Sequence, residues 1–406
     1  MESFRAVILG GDENAYGVAR LFYELNGEKP LLLCTRLLPF TEKSTILELE
    51  IVPQIDTPEV FREKLPAILE RERSKNGRTF LIPCADYYAA LCIKYASLLE
   101  GLVENRFISE ELYEKLETKD KFGALCAEYG LVHPETVIVS PEERESAADG
   151  FGFGYPLVLK PENSNAYDYL HCSFAGKKKV YYIKDREEYL RTVRAMTEAG
   201  YNGKLVAQEY IPGGDDALYV MNCYSGPDGK VRMMSLGRAV LEECAPGMRG
   251  NYAAIITAND RALYEKIKRF LESINYVGFS NFDMKYDSRT GEYAVFEINP
   301  RQGRSSFYVR AGGLNLMRAA AEKPDETVYG TEEALWSAVP KCVIKKYCES
   351  EGSKRKALDL WKKRGVARTM FEKRDRSVKH KFNALKRYWY SVKTFKTYYK
   401  NKNGSK

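Results

Sequence analysis

The sequence predicts an α/β domain built on a parallel sheet over residues 1–115, an α+β region with antiparallel sheets over residues 116–330, and a basic helical tail over residues 331–406. Three observations carry this. Short apolar runs alternate with segments of helical periodicity through the first part of the chain, which implies parallel strands joined by helical crossovers. Further on, strand-like runs flank tight turns at Gly226–Gly229 and Asp287–Gly291, which implies antiparallel hairpins. From Lys341 to Lys406 there are 22 Lys+Arg against 5 Asp+Glu, leaving +17 in the tail and −10 in the remainder.

The elements follow in order. Arg5–Leu9 is an apolar run ending at Gly10-Gly11 and reads as a buried strand. Asp12–Asn26 spaces Val18, Ala19, Leu21, Phe22 and Leu25 as one helix face, with Asp12 or Glu13 as its cap and Gly27 as its stop. The glycine turn between them reads equally as a phosphate cradle or as a tight strand-to-helix turn, because Gly10, Gly11 and Gly17 do not make G-x-G-x-x-G. Strands are expected at Pro30–Cys34 and Thr79–Pro83, and helices at Phe61–Arg73 and Tyr87–Leu99. In the second region, helices are expected at Lys119–Tyr129, Arg186–Ala199 and Arg261–Ile274. Strands are expected at Thr136–Ser140, Gly154–Lys160, Lys179–Ile183, Leu205–Ile211, Ala217–Tyr224, Val231–Leu236, Gly278–Tyr286 and Tyr293–Asn299, with a polar loop over Pro161–Tyr169.

Composition narrows the function classes. Hydrophobic residues make up 44% and charged residues 29%, which excludes a wholly disordered or fibrous chain. No run reaches the roughly 18–20 apolar residues needed to span a bilayer. The first residues lead into a strand-like run rather than a basic stretch plus apolar segment, so a signal peptide is not expected. Nine cysteines are scattered without a CxxC pair, so a disulfide framework or thiolate zinc site is not expected and a cytoplasmic setting fits. Three histidines are too few for a histidine-rich metal centre, so any metal should be magnesium on oxygen ligands. The tail mixes its cations with Trp361, Tyr388, Trp389, Tyr390, Phe395, Tyr398 and Tyr399. It reads either as a contact for a polyanion or membrane surface, or as a helix packed on the body with a solvated basic face. No recognition motif points to nucleic acid.

The chemistry concentrates in the last hairpin of the body. Glu297 and Asn299 lie two apart on one strand and share a face, and pairing brings Asp283 opposite them. Three oxygen ligands on one sheet face suit magnesium, whose shell keeps room for waters or phosphate oxygens. Acidic residues on strands often only face solvent. Here Phe279, Phe282, Val295, Phe296 and Ile298 mark the strands as core, where uncompensated carboxylates are costly. Lys160, ending an apolar strand, reads as a snorkelling edge residue or a phosphate contact. Lys119, opening a helix, reads as a surface residue or a second such contact. Gln208–Asp215 joins a strand to an abrupt Gly213-Gly214 stop, which suits backbone groups for a base and a carboxylate for a ribose, or an ordinary turn.

Taken in order, Thr118-Lys119, Gly130-Leu-Val-His-Pro134, Pro156-Leu-Val-Leu-Lys-Pro161, Gln208-Glu-Tyr-Ile-Pro-Gly213 with Asp215, Asp283, and Glu297-Ile-Asn-Pro-Arg301 resemble the ATP-grasp superfamily. Within it the chain is similar to carboxylate–amine ligases of the D-aspartate ligase type. That finer likeness extends over the N-terminal domain, Lys160–Ser164, Phe174–Val180, Gly303–Ser306 and the tail. The resemblance implies ATP held between two subdomains, about 116–212 and 213–330. Lys119 and Lys160 would meet the phosphates, Gln208, Glu209 and Ile211 the adenine, and Asp215 the ribose. Asp283, Glu297 and Asn299 would hold one or two magnesium ions, and Arg301 and Lys160 would serve the transferred phosphoryl group. The loop after Lys160 departs from the glycine-rich lid common in the superfamily, since Glu162–Tyr167 contains no glycine. Arg238, Arg249, Arg304 and Ser305 are candidates for the acid substrate, because arginine forks match carboxylates.

The implied reaction joins D-aspartate or a similar amino acid to a lysine amine of an anionic peptidoglycan stem precursor through an acyl phosphate. The basic tail would then suit the precursor or the inner membrane face. A different acceptor would give a dipeptide or another small amide. A non-catalytic nucleotide-binding adaptor, using the tail as its contact, is the reading of another class.

Overall fold

The computed structural model describes residues 4–162, 167–245, 248 and 250–403. The chain opens with β1 (Phe4–Leu9), α1 (Glu13–Asn26), β2 (Leu31–Cys34), β3 (Glu48–Ile51), α2 (Pro58–Asn76), β4 (Arg78–Pro83), α3 (Asp86–Lys94) and α4 (Glu110–Glu117). The strands pair in parallel in the order β3-β2-β1-β4. β1 is buried throughout, as a continuous apolar run in a two-sided sheet must be. Asp12 caps α1 by accepting the Ala15 amide at 3.0 Å, and Gly27 ends it at φ 76°. Gly10 turns the chain at φ 141°, and a Cβ there would lie 3.1 Å from that of Cys84. The Gly10-Gly11 pair is thus a tight strand-to-helix turn. Strand β3 and helix α4 were not expected. Edge strand β3 is at most half-buried, so its Glu-Leu-Glu-Ile sequence carries little apolar signal.

Next come α5 (Lys119–Glu128), β5 (Thr136–Val139), β6 (Leu157–Pro161), α6 (Tyr167–His171), β7 (Tyr181–Ile183), α7 (Arg186–Glu198) and β8 (Leu205–Glu209). Their antiparallel sheet runs β5-β8-β6-β7, with Lys160 opposite Val206 and Leu157 opposite Glu209. Helix α7 buries Tyr189, Val193 and Met196, spaced by four and three residues, in the core over this sheet. The stretch Pro161–Tyr169, expected as loop, contains the start of α6. Asn163–Ala166, in the loop after Lys160 that departs from the glycine-rich lid pattern, lie outside the described residues.

The remainder comprises β9 (Leu218–Ser225), β10 (Val231–Glu242), β11 (Tyr252–Ala258), α8 (Arg261–Ser273), β12 (Gly278–Asp287), β13 (Glu292–Asn299), α9 (Tyr308–Ala311), α10 (Leu316–Glu322), β14 (Val328–Tyr329), β15 (Leu335–Ser337), α11 (Lys341–Tyr347), α12 (Glu351–Lys363) and α13 (Val378–Asn403). A sheet ordered β13-β12-β9-β10-β11-β15 forms, with β14 added beside β10. Strand β10 continues through Gly237 to Glu242, past its expected end, and Gly237 is needed because a Cβ would sit 2.6 Å from Ile255 Cγ2. Contacts divide the chain into two compact units. One holds residues 1–114, 214–284 and 297–400, and the other is built mainly from 115–213 and 285–296.

Up to residue 400 the tail belongs to the first unit. Phe395 is fully buried among Val240, Leu241, Val343, Ile344 and Ala357. His380 stacks on Tyr16 at 4.4 Å, and buried Asp375 accepts from Tyr16 Oη at 3.1 Å, Ser44 Oγ at 2.6 Å and the Thr45 amide at 3.1 Å. The packed-helix reading of the tail therefore describes one side of α13. Among the described residues no helix is long and apolar enough to cross a membrane.

Candidate active site

In the first unit, β12 and β13 set Asp283 beside Asn299. Asp283 Oδ2 accepts from Asn299 Nδ2 at 3.3 Å and from Asn281 Nδ2 at 3.2 Å, while Oδ1 accepts from Tyr252 Oη at 3.1 Å. Burial raises the Asp283 carboxyl well above the ordinary range, and the neighbouring Glu297 charge raises it further. Burial and the Asp283 charge likewise push the Tyr252 phenol up, so Tyr252 keeps its proton and donates. Two carboxylates that repel each other, with the Asn299 carboxamide beside Asp283, make an oxygen-rich set that a divalent cation would relieve. Asn281 Oδ1, buried without a hydrogen-bond partner, adds a further oxygen beside them. This donor set fits magnesium. Among the described residues no group of three or more His, Cys, Asp or Glu could hold a metal, so the set consists of two carboxylates with amide oxygens.

Arg301 follows β13 directly. Its Nε donates to Asp86 Oδ1 at 2.6 Å at the start of α3, and its side chain is only 13% exposed. Gln302, fully buried, donates to Cys84 Sγ at 3.1 Å and fixes the turn. Gly303 must be glycine, since a Cβ would come within 2.1 Å of Asn281 Oδ1. Asp215 Oδ2 accepts the Glu242 amide at 2.9 Å, which pins the turn before β9 to the end of β10.

The second unit holds the two lysines. Lys119 opens α5 and Lys160 lies near the end of β6, both half-buried. Their charges converge on His133, whose imidazole is held below its ordinary value by burial and, more weakly, by both lysines. His133 Nδ1 lies 2.8 Å from the Val295 carbonyl. Gln208 is 95% buried and donates to Thr136 Oγ1 at 2.9 Å, so its side chain is tied into the sheet. Glu209 donates its amide to Glu135 O at 2.8 Å and accepts from Arg289 at 2.7 Å, and Ile211 is buried.

Arg304 leads to a cavity in the first unit that the sequence did not single out. Its walls include Glu13, Glu243, Tyr252, Ser305 and Arg387. Arg387 Nε donates to Glu13 Oε2 at 3.3 Å, and Arg304 reaches Met248 Sδ at 3.3 Å. Burial raises both Glu13 and Glu243, and the same two guanidinium groups, Arg387 and Arg304, pull both back down. Two acids and two guanidiniums thus gather around a small cavity of about 20 Å³. Arg238 is half-buried on β10 opposite Ile256. Arg249 lies outside the described residues.

The chain is 38% identical, over 99% of its length and 98% of the relative's, to D-aspartate ligase of Enterococcus faecium. It belongs to the D-aspartate ligase family. This chain is an ATP-dependent carboxylate–amine ligase of ATP-grasp fold. The fold matches L-amino acid ligase from Bacillus licheniformis (TM-score 0.53, 16% identity, 80% of this chain and 74% of that one). It also matches N5-carboxyaminoimidazole ribonucleotide synthetase from Thermus thermophilus (TM-score 0.55, 17% identity, 81% and 82%). No protein-family model matches the chain.

The charged residues around the Arg304 cavity that sequence reasoning did not pick out as site candidates are Glu13, Glu243 and Arg387. Glu13 was visible only as a helix-capping choice. Arg387 was one of 22 tail cations, with nothing in its neighbours to separate it from the rest.

Proposed function

We propose that this enzyme joins the carboxylate of D-aspartate, or a similar small amino dicarboxylate, to a lysine amine of a peptidoglycan stem precursor at the expense of ATP. The observation that carries this is the full-length likeness to D-aspartate ligase. The acids and guanidiniums gathered around Arg304 support an amino dicarboxylate as the acid, by their charge.

An amine cannot displace oxide from a carboxylate, so the acid must first be activated. Its oxygen would attack the γ-phosphorus of ATP, the bond to the ADP oxygen would break, and an acyl phosphate would form. The amine nitrogen would then attack the acyl carbon and inorganic phosphate would leave. Magnesium held by Asp283, Glu297 and Asn299 would neutralise phosphate charge during the first step. Lys119 and Lys160 would bind phosphate oxygens, and Lys160 and Arg301 would offset charge on the transferred group. Gln208, Glu209 and Ile211 would flank the adenine and Asp215 the ribose hydroxyls. Arg304, Ser305 and Arg238 would orient the acid, with Arg387 beside Arg304, and Glu13 and Glu243 would receive its ammonium. An anionic, membrane-proximal precursor would place the enzyme in the cytoplasm, at the inner membrane face.

The test is incubation of the full chain with ATP, magnesium, an amino-acid panel and a lysine-containing stem peptide precursor, read by product mass and ADP release. The reading expects a D-aspartyl-lysine amide with one ADP per bond. ADP release with a monocarboxylic amino acid alone, and none with aspartate, would contradict it.

A further inference from the structure

Helix α13 has two faces of opposite character. His380, Ala384, Tyr388 and Phe395 are buried against the first unit. Val378, Phe382, Leu385 and Trp389 are 81%, 64%, 47% and 56% exposed. These four are spaced by four, three and four residues, so they line one stripe along the helix. A stripe of large apolar side chains left in water marks an interaction site. Beside it stand Lys381, Lys386 and Lys393, all exposed. Across Val378–Asn403 the sequence has eight lysines or arginines and no Asp or Glu.

This pairing selects the occupant. A second copy of the stripe would bring two wholly cationic helices together, which repel. A nucleic acid would take the charge but would give nothing for Val378, Phe382 and Leu385. An anionic lipid surface rewards both features, because the apolar side chains enter the acyl boundary while the lysines meet headgroup phosphates. Trp389 suits such an interface, with an apolar ring and a polar N–H. Arg387 lies two residues from Leu385 and Trp389, on the other side of the helix, where it meets Glu13. Lipid docking along the stripe therefore leaves the Glu13–Arg387 pair undisturbed.

We propose that α13 is an in-plane anchor that docks the enzyme on an anionic bilayer through Val378, Phe382, Leu385 and Trp389, with Lys381, Lys386 and Lys393 contacting lipid phosphates.

The test is flotation of the full chain with vesicles of phosphatidylcholine alone or mixed with phosphatidylglycerol, with Trp389 emission as a second readout. The expected result is binding to the mixed vesicles, weak binding to the neutral ones, and a blue shift lost in W389S. The stripe variant F382S/L385S/W389S should bind on the order of tenfold more weakly, and the charge variant K386E/K393E similarly, with unchanged melting temperatures because these side chains are exposed. Failure of the wild-type chain to bind phosphatidylglycerol vesicles would overturn the proposal. So would a stripe variant that binds them as well as wild type, or one that melts earlier. A wild-type dimer that the stripe variant dissolves, without vesicle binding, would show a second copy to be the occupant instead.

Discussion

Tyr252 donates its hydroxyl to Oδ1 of Asp283 at 3.1 Å, and the same ring walls the cavity that holds Glu13, Glu243 and Arg304. One β11 side chain therefore touches both the proposed metal carboxylate and the proposed acid pocket. Tyr252→Phe keeps the packing of the ring and removes the donor. Asp283 would lose a hydrogen bond that favours its charged form. The expected outcome is a higher magnesium requirement with the KM for ATP little changed, measured by steady-state kinetics at several magnesium concentrations.

The Asp283 carboxyl is raised to about 7. A metal must displace its proton, so binding should weaken as pH falls through that value. Between pH 8 and pH 6 the half-saturating magnesium concentration should rise about tenfold, the factor expected for one proton lost on binding. Asp283→Asn removes the titrating group. It should flatten this dependence while cutting turnover on the order of 10²–10³-fold.

Arg387 and Arg304 bracket Glu13 and Glu243, and the expected effects of replacing them separate by parameter. Arg387→Ala should raise the KM for the acid on the order of tenfold or more, because a charge-assisted hydrogen bond contributes about 1.5–3 kcal/mol. Arg387→Lys should recover only part of it, since an ammonium lacks the planar fork. Calorimetric titration of D-aspartate into wild-type and variant protein checks the binding part directly.

The anchoring of α13 sets an acid limit on stability. Burial holds His380 below the ordinary imidazole value of 6.5, so the folded state keeps it neutral. The unfolded chain takes up that proton below about pH 6.5, so stability is full above that value and falls as pH drops beneath it. Burial alone would raise Asp375, but hydrogen bonds from Ser44 and the Thr45 amide outweigh it and hold the carboxyl below 3.8. Its contribution is present above 3.8 and is lost at still lower pH. His380→Gln should reduce the loss of melting temperature between pH 7 and pH 5. Asp375→Asn, which leaves buried donors facing an amide, should cost about 1–3 kcal/mol at neutral pH. Calorimetric melting across pH checks both.

Much of this arrangement was legible where short-range rules suffice. The two-residue strand period puts Glu297 and Asn299 on one face, and the Asp287–Gly291 turn returns the chain so that Asp283 meets them. Helix α1 announces itself through Asp12, its apolar spacing and Gly27. Contacts between distant segments were not legible. Glu13 and Arg387 meet across 374 residues, and no local pattern joins them. Strand β11 was missed because its Ala-Ala-Ile-Ile core has no alternation when both faces are buried. The side of α13 that packs was equally hidden, since aromatic residues occur all round the helix and only the fold shows that His380 meets Tyr16 and that Phe395 joins Val240 and Val343.

The most direct measurement is trapping of the activated acid. Wild-type protein is incubated with ATP, magnesium, D-aspartate and hydroxylamine, and hydroxamate is measured alongside the same reaction with Glu297→Gln. Hydroxamate forming with wild type and falling at least about 10²-fold in the variant is the predicted result. Hydroxamate formation by Glu297→Gln at the wild-type rate would contradict the metal site, and ADP release without any hydroxamate from wild type would contradict the acyl-phosphate route itself.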